Sequence, residues 1–275
     1  MTVRADVSRV LIAVAVPLAA APFRLSAQVP APEFVVSATG GYTFEASLWT
    51  LRQRVVVPEP GPLLIDTFLL ARRLAPGASA WVGLTWYPRP TTGFGADVGW
   101  VAAQVRTGCA ILGTPQPDSW EQNTVACARL AHDRSPTSAI AALATVTFRA
   151  SPRSRYSPFV KVGAGPALLG QPFDAVTSHS TGSTCIDCVR VILEGRDRLV
   201  TWAGTVAAGV AIGGVSSYRL RVEVRDVVLG LPVVTGPADP LAEHPVPPSS
   251  IRAVHRFVLA FGLDVVLSAT HPRRY

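Results

Sequence analysis

Eight stretches of this 275-residue chain alternate apolar with polar or small residues, and the breaks between them are short and long in turn. The runs cover residues 33–45, 78–87, 94–105, 138–150, 158–169, 199–213, 218–231 and 251–267. "PRPTTG" (88–93), "SPRSRYS" (151–157) and "GVSS" (214–217) are the short breaks. The other four connections, 46–77, 106–137, 170–198 and 232–250, are long. Alternation marks a strand with two unlike faces, because successive side chains point to opposite sides. A sandwich has no physical reason to collect its short turns at one end. A barrel threaded through a membrane does, with tight turns inside and long loops outside.

The expected fold is therefore all-β: an eight-stranded antiparallel up-and-down transmembrane β-barrel over residues 33–267. Each run reaches the ~9–11 residues that a tilted spanning strand needs. No amphipathic helix is expected beyond the N-terminal leader. One apolar piece, "LLIDTFLLARRL" (63–74), falls outside the set of eight. Single-chain bacterial barrels have an even number of strands, so this piece is read as half of an outside-loop hairpin, pairing with 52–57 across "PEPGP". The alternatives are a ten-stranded barrel and a soluble periplasmic β-barrel.

Composition agrees with strands that face lipid. Charged residues make up 16%, against about a quarter in soluble domains, and mean hydropathy is +0.33. Yet no apolar run beyond residue 21 approaches a spanning helix. Residues 1–27 read as a secretory signal peptide. Arg4 and Arg9 precede the apolar "VLIAVAVPLAAA", and small residues follow it. No Cys follows the apolar segment, which argues against a lipoprotein anchor. Residues 268–275 form a short C-terminal tail.

In "YRLRVEVR" (218–225) four charges share one face and none lies on the other. A soluble barrel would turn those charges to water; a membrane barrel turns them inward. The spanning runs place Asp97, Arg149, Lys161, Arg219, Arg221, Glu223, Arg225 and Asp264 on the faces opposite their large apolar residues. An Arg facing lipid at the midplane costs about 2–4 kcal/mol, so these residues are expected to form a charge network in the lumen. Trp86, Tyr87, Trp100, Tyr156, Phe159 and Tyr218 lie near the ends of runs, where an aromatic girdle is expected.

Cys109, Cys127, Cys185 and Cys188 all fall in long connections. In an exported chain an even number of cysteines reads as disulfides. Local pairing, Cys109 with Cys127 and Cys185 with Cys188, is the favoured one of three connectivities. "CIDC" (185–188) has a redox-type spacing but no βαβ context. His179, Cys185, Asp187 and Cys188 lack the second Cys pair of a convincing metal site.

The last run resembles the closing strand of the small bacterial outer-membrane β-barrels, the class that includes the OmpA transmembrane domain. In "AFGLDVVL" (260–267), Gly262 is followed by apolar Val265 and Leu267, a pattern similar to the assembly signal of such barrels. The resemblance implies insertion by the barrel assembly machinery and contact with outer-membrane lipid and lipopolysaccharide. It departs from the pattern at Ala260, where a polar residue is common, and in the tail that follows the strand.

The expected role is structural or surface-interacting, without enzymatic activity and without a cofactor. Eight strands leave an interior that side chains fill. Three other functions compete: a narrow anion-preferring pore, a lipid-modifying enzyme of the outer rim, and a soluble ligand-binding barrel. The enzyme candidates are Ser178, His179 and Ser180 with Asp174, or His132 with Asp133, none in a recognisable motif. Net charge is +7, but no basic stripe with interleaved aromatics occurs, and nucleic acid is not an expected partner.

Overall fold

A computed structural model of the chain describes residues 32–56, 65–113, 122–170, 191, 200–213, 217–242 and 246–268. The expected leader, Cys185, Cys188, Asp174, Asp187, the Ser178–His179–Ser180 group and nearly all of the tail lie outside the described residues.

The described residues form ten strands and one helix. β1 (Glu33–Thr43), β2 (Ala46–Val56), β3 (Ile65–Leu74), β4 (Gly77–Arg89) and β5 (Thr92–Ile111) precede α1 (Gln122–His132). β6 (Arg134–Arg149), β7 (Tyr156–Leu169), β8 (Val200–Ile212), β9 (Tyr218–Val234) and β10 (Ser249–Ser268) follow it. Eight strands close into a ring, in the order β1, β4, β5, β6, β7, β8, β9, β10 and back to β1. Every pairing is antiparallel, and β1 meets β10 from Glu33↔Ser268 to Thr43↔Val258. Closure leaves no unpaired strand edge in the ring, which a hydrocarbon environment requires.

β2 and β3 stand outside the ring as a hairpin, paired from Ala46↔Leu74 to Val56↔Ile65. The 20-residue β5 serves both structures. Its first part pairs with β4 up to Ser79↔Val101, and its last part pairs with β3 from Leu74↔Val105 to Phe68↔Ile111. The expected hairpin above an eight-stranded barrel is thus present, and both pieces stay out of the ring. Chain crowding at the hand-over selects a glycine. A Cβ on Gly77 would sit 2.2 Å from the Ala102 carbonyl oxygen, where β4 begins beside β5.

The faces sort as a membrane requires. Val82, Val98, Ile140, Phe148, Val206, Leu220, Val224 and Phe261 point outward and are exposed. The alternate positions Ser37, Thr39, Thr85, Thr145, Thr147 and Thr205 are buried inside. Apolar side chains outside and polar ones inside is the reverse of a soluble barrel, whose interior drives folding by excluding water.

Two expectations need correction. The 106–137 connection was expected to contain no helix, but α1 occupies part of it. Its buried positions Asn123, Ala126, Cys127 and Leu130 follow helical spacing. One is polar and two are small, so the apolar stripe is weak in sequence. Eleven residues also fall short of the ~12–15 that hold a helix in isolation. The aromatic girdle is the second. Trp86, Trp100, Tyr156 and Tyr218 do face outward, but Tyr87 and Phe159 are buried in the lumen, where they meet arginines.

Candidate functional site

The lumen has two layers, and the same change from polar to apolar occurs along several strands. From the short-turn end outward, β5 passes from Asp97 to Val101 and Val105, β7 from Lys161 to Ala167 and Leu169, and β9 from Glu223 and Arg225 to Val227, Leu229 and Leu231. All of these are buried.

The polar layer is an ion network. Glu33, at the start of β1, accepts from Arg149 (Nη2 to Oε2, 2.7 Å) and from Arg219 (Nη1 to Oε1, 3.2 Å). Deeper in, a continuous chain of contacts crosses the barrel. Lys161 Nζ donates to Asp97 Oδ1 at 2.9 Å, and Asp97 Oδ2 lies 3.6 Å from Arg225 Nη1. Arg225 Nη2 donates to Glu223 Oε1 at 2.6 Å, and Arg221 Nε donates to Glu223 Oε2 at 2.8 Å. Arg221 Nη1 then donates to Asp264 Oδ1 at 3.3 Å. Glu223 is thus shared between arginines two residues away on either side, which the pleat places on one face.

Aromatic rings support the cations from the other side. The guanidiniums of Arg149, Arg221 and Arg225 lie 3.8, 4.0 and 4.2 Å from the ring centres of Tyr87, Phe159 and Trp81. Gly99 makes room for this arrangement, since a Cβ there would come within 2.0 Å of the Trp81 ring. Charge pairing, hydrogen bonding and ring stacking together offset much of the cost of burying these ions.

All eight lumen charges expected from the sequence lie in this layer, each with at least one partner of opposite sign. Two lumen residues were missed. Glu33 sits at the first position of its run, where the alternation has no preceding residue to set its face. Arg256 is 1% exposed, on the inward face shared with Asp264. Parity alone places it there. It belongs to the apolar half and donates to Thr43 Oγ1, the Phe44 carbonyl and the Ala75 carbonyl, at 2.8, 3.3 and 3.1 Å.

Above the ion network the lumen is mostly apolar, and this layer runs on into a cap. Leu74, Val101, Leu169, Leu229 and Leu231, with Arg256, line a cavity of about 20 Å³, room for roughly one water molecule. The inward faces of β2 and β3 carry Trp49, Val55, Phe68 and Leu70 into the same buried cluster as Ala126 and Leu130 of α1 and Val233 of β9. Three tethers fix the cap. The Cys109–Cys127 disulfide joins α1 to β5. Asn123 Nδ2 donates to Asp66 Oδ2 of β3 at 2.8 Å. Gln53 of β2 makes a two-point bond with the β9–β10 connection, donating to the Ala238 carbonyl (3.1 Å) and accepting from its amide (2.8 Å).

The remaining candidates are peripheral. His132, at the exposed end of α1, has Nδ1 2.7 Å from the Ala128 carbonyl oxygen of its own helix, and Asp133 follows it. Among the described residues no cluster of three or more His, Cys, Asp or Glu side chains is arranged to hold a metal, and no helix is long and apolar enough to cross a membrane. Gly262, Val265 and Leu267 lie on β10, which closes the ring against β1 at Thr39, Val36 and Phe34 respectively.

A closed eight-stranded barrel with an apolar exterior and an ion-filled interior is an integral outer-membrane β-barrel. Among solved structures the chain is similar to the outer membrane protein AlkL, determined in DMPC bilayers (15% identity, 90% of this chain and 96% of that one, TM-score 0.41). It is also similar to Neisserial surface protein A, NspA (9% identity, 85% and 96% covered, TM-score 0.37). A third likeness is to Ail, the attachment invasion locus protein of Yersinia pestis (10% identity, 85% and 98% covered, TM-score 0.33). No protein-family model matches the chain, and no curated protein does. The class rests on the barrel's own closure and surface.

Proposed function

We propose that this chain is a sealed, non-enzymatic outer-membrane barrel with a structural or surface-interaction role, holding a rigid cap above the outer leaflet. The sealed lumen carries this reading. The charges of its polar layer are paired with one another, and the layer above them is apolar apart from Arg256 and continuous with the cap. A solute path needs water-lined space, and a paired ion chain beneath an apolar layer offers none. The narrow anion-preferring pore loses support for the same reason, because the arginines of the polar layer already hold carboxylates and Arg256 is held by a hydroxyl and two carbonyls. A soluble ligand-binding barrel would need the opposite arrangement of faces.

Planar-bilayer recording of the full-length protein tests the reading. The expected result is an unchanged baseline at 100 mV, with insertion verified by heat-modifiable gel mobility of the same sample. Reproducible conductance steps from folded protein would replace the sealed barrel with a channel.

A further inference from the structure

Arg256 is a buried cation without a carboxylate. It is 1% exposed, on the inward face of β10 above the ion network. Every cation of that network meets an acid, but among the described residues no acid reaches Arg256. Glu223 faces Ala260, roughly 14 Å along β10 from Arg256, and its oxygens are held by Arg221 and Arg225. Asp226 is nearer along the strand but belongs to the outward face, where it meets His255. The hydrogen bonds of Arg256 all come from Nη2, to Thr43 Oγ1 and to the Phe44 and Ala75 carbonyls. These acceptors are dipoles, not charges. They sit at the two places where the hairpin leaves the ring, between β1 and β2 and between β3 and β4. Nε of Arg256 is buried with no acceptor at all.

The charge cannot be shed, because a guanidinium keeps its proton at neutral pH. An ion in apolar surroundings is costly unless a counter-charge accompanies it. The cavity beside Arg256 is the place for that counter-charge. Leu74, Val101, Leu169 and Leu229 line it, and Thr137, two residues from the buried Ala139 and so on the inward parity of β6, brings a hydroxyl to the wall. No carboxylate lines it among the described residues. Its volume of about 20 Å³ admits one particle the size of a water molecule. A water would offer an acceptor but no charge. Sulfate, phosphate and organic carboxylates are too large. A chloride ion is little larger than water and supplies an acceptor and a negative charge in one atom.

We propose that Arg256 and this cavity form a buried halide site, taking chloride as the counter-ion of the arginine that holds both stems of the β2–β3 hairpin. The site goes beyond the sealed-barrel reading and does not reopen the lumen. The anion is bound and not conducted, because the arginines beneath it already hold carboxylates. Chloride that binds the folded barrel and not the unfolded chain stabilises the fold by mass action.

The test uses the full-length barrel folded in neutral detergent, with folding of each variant checked first by heat-modifiable mobility. Sodium chloride replaces sodium gluconate at constant ionic strength while thermal unfolding is followed. Above the dissociation constant, wild type is expected to gain about 3–6 °C for each tenfold increase in chloride, and bromide is expected to act alike. Sulfate, too large for the cavity, is expected to give no gain over gluconate. R256Q is expected to lose the chloride response. A103L keeps the arginine but fills the cavity from β5, and is expected to lose the response too. R252Q, at an exposed arginine of the same strand, is expected to keep it. A wild-type melting temperature independent of chloride would mean that water fills the cavity; it overturns the site even if a variant fails to fold. An undiminished response in R256Q or A103L, an equal gain from sulfate, or loss of the response in R252Q overturns it as well. Conductance steps in the bilayer recording would overturn the sealed barrel and leave these melting results as they are, so the two failures are distinguishable.

Discussion

Glu223 is the residue on which the lumen network turns. It is 1% exposed and accepts from both Arg221 and Arg225, so its removal leaves two cations short of a partner. Breaking a buried pair costs about 3–5 kcal/mol. Glu223→Ala is expected to lower the unfolding free energy of the detergent-folded barrel by that order in urea titration. Asp239→Ala, at an exposed loop acid, is expected to stay within about 0.5 kcal/mol. Near-equal midpoints would mean that the ion chain contributes nothing to stability. The alternation of "YRLRVEVR" made this network legible, because a membrane strand with charges on one face has only one place to put them. Arg256 was equally legible by parity. Its surroundings were not, since its acceptors are a hydroxyl and two carbonyls brought in by turns distant in sequence. Ala260 adds a second lesson. It faces the lumen but is fully buried, so facing inward does not imply room for a larger side chain.

The spanning strands were readable because each carries its own two-faced pattern. Val224 points outward in mid-strand, beside the inward Arg225, and is 55% exposed. Val224→Arg is expected to cost about 2–4 kcal/mol of folding stability in bilayers. Val200→Arg, at the long-loop end of β8, is expected to cost no more than about 1 kcal/mol. Equal costs would contradict the depth assignment. The cap elements were less readable. α1 shows little amphipathic pattern, and what holds it is tertiary: the Cys109–Cys127 bond and the Asn123–Asp66 contact. On the loop-entropy model such a disulfide stabilises by about 3 kcal/mol. Cys109→Ser with Cys127→Ser is therefore expected to speed amide exchange over Gln122–His132 while the ring strands keep their protection. Unchanged exchange in α1 would assign its stability to packing alone.

At the scale of the whole molecule, loop length carried more information than any residue. Short turns gathered at one end required a membrane-threaded barrel, and the eight-stranded ring follows from it. What the loops build could not be read the same way. The β2–β3 hairpin, α1 and the β9–β10 connection meet through contacts between distant segments, 57 residues apart for Asn123 with Asp66 and 185 for Gln53 with Ala238. No local pattern records such a meeting.

The division of β5 between two sheets has a consequence for what this molecule can carry. Because one unbroken strand belongs to the ring below and the hairpin above, the hairpin is an extension of the ring's own sheet rather than a tethered loop. The outward faces of β2 and β3 are thereby carried in fixed register on β5, beyond the part of β5 that closes the ring. Substitutions on those outward faces can therefore change what the hairpin presents while the ring stays as a permanent foundation.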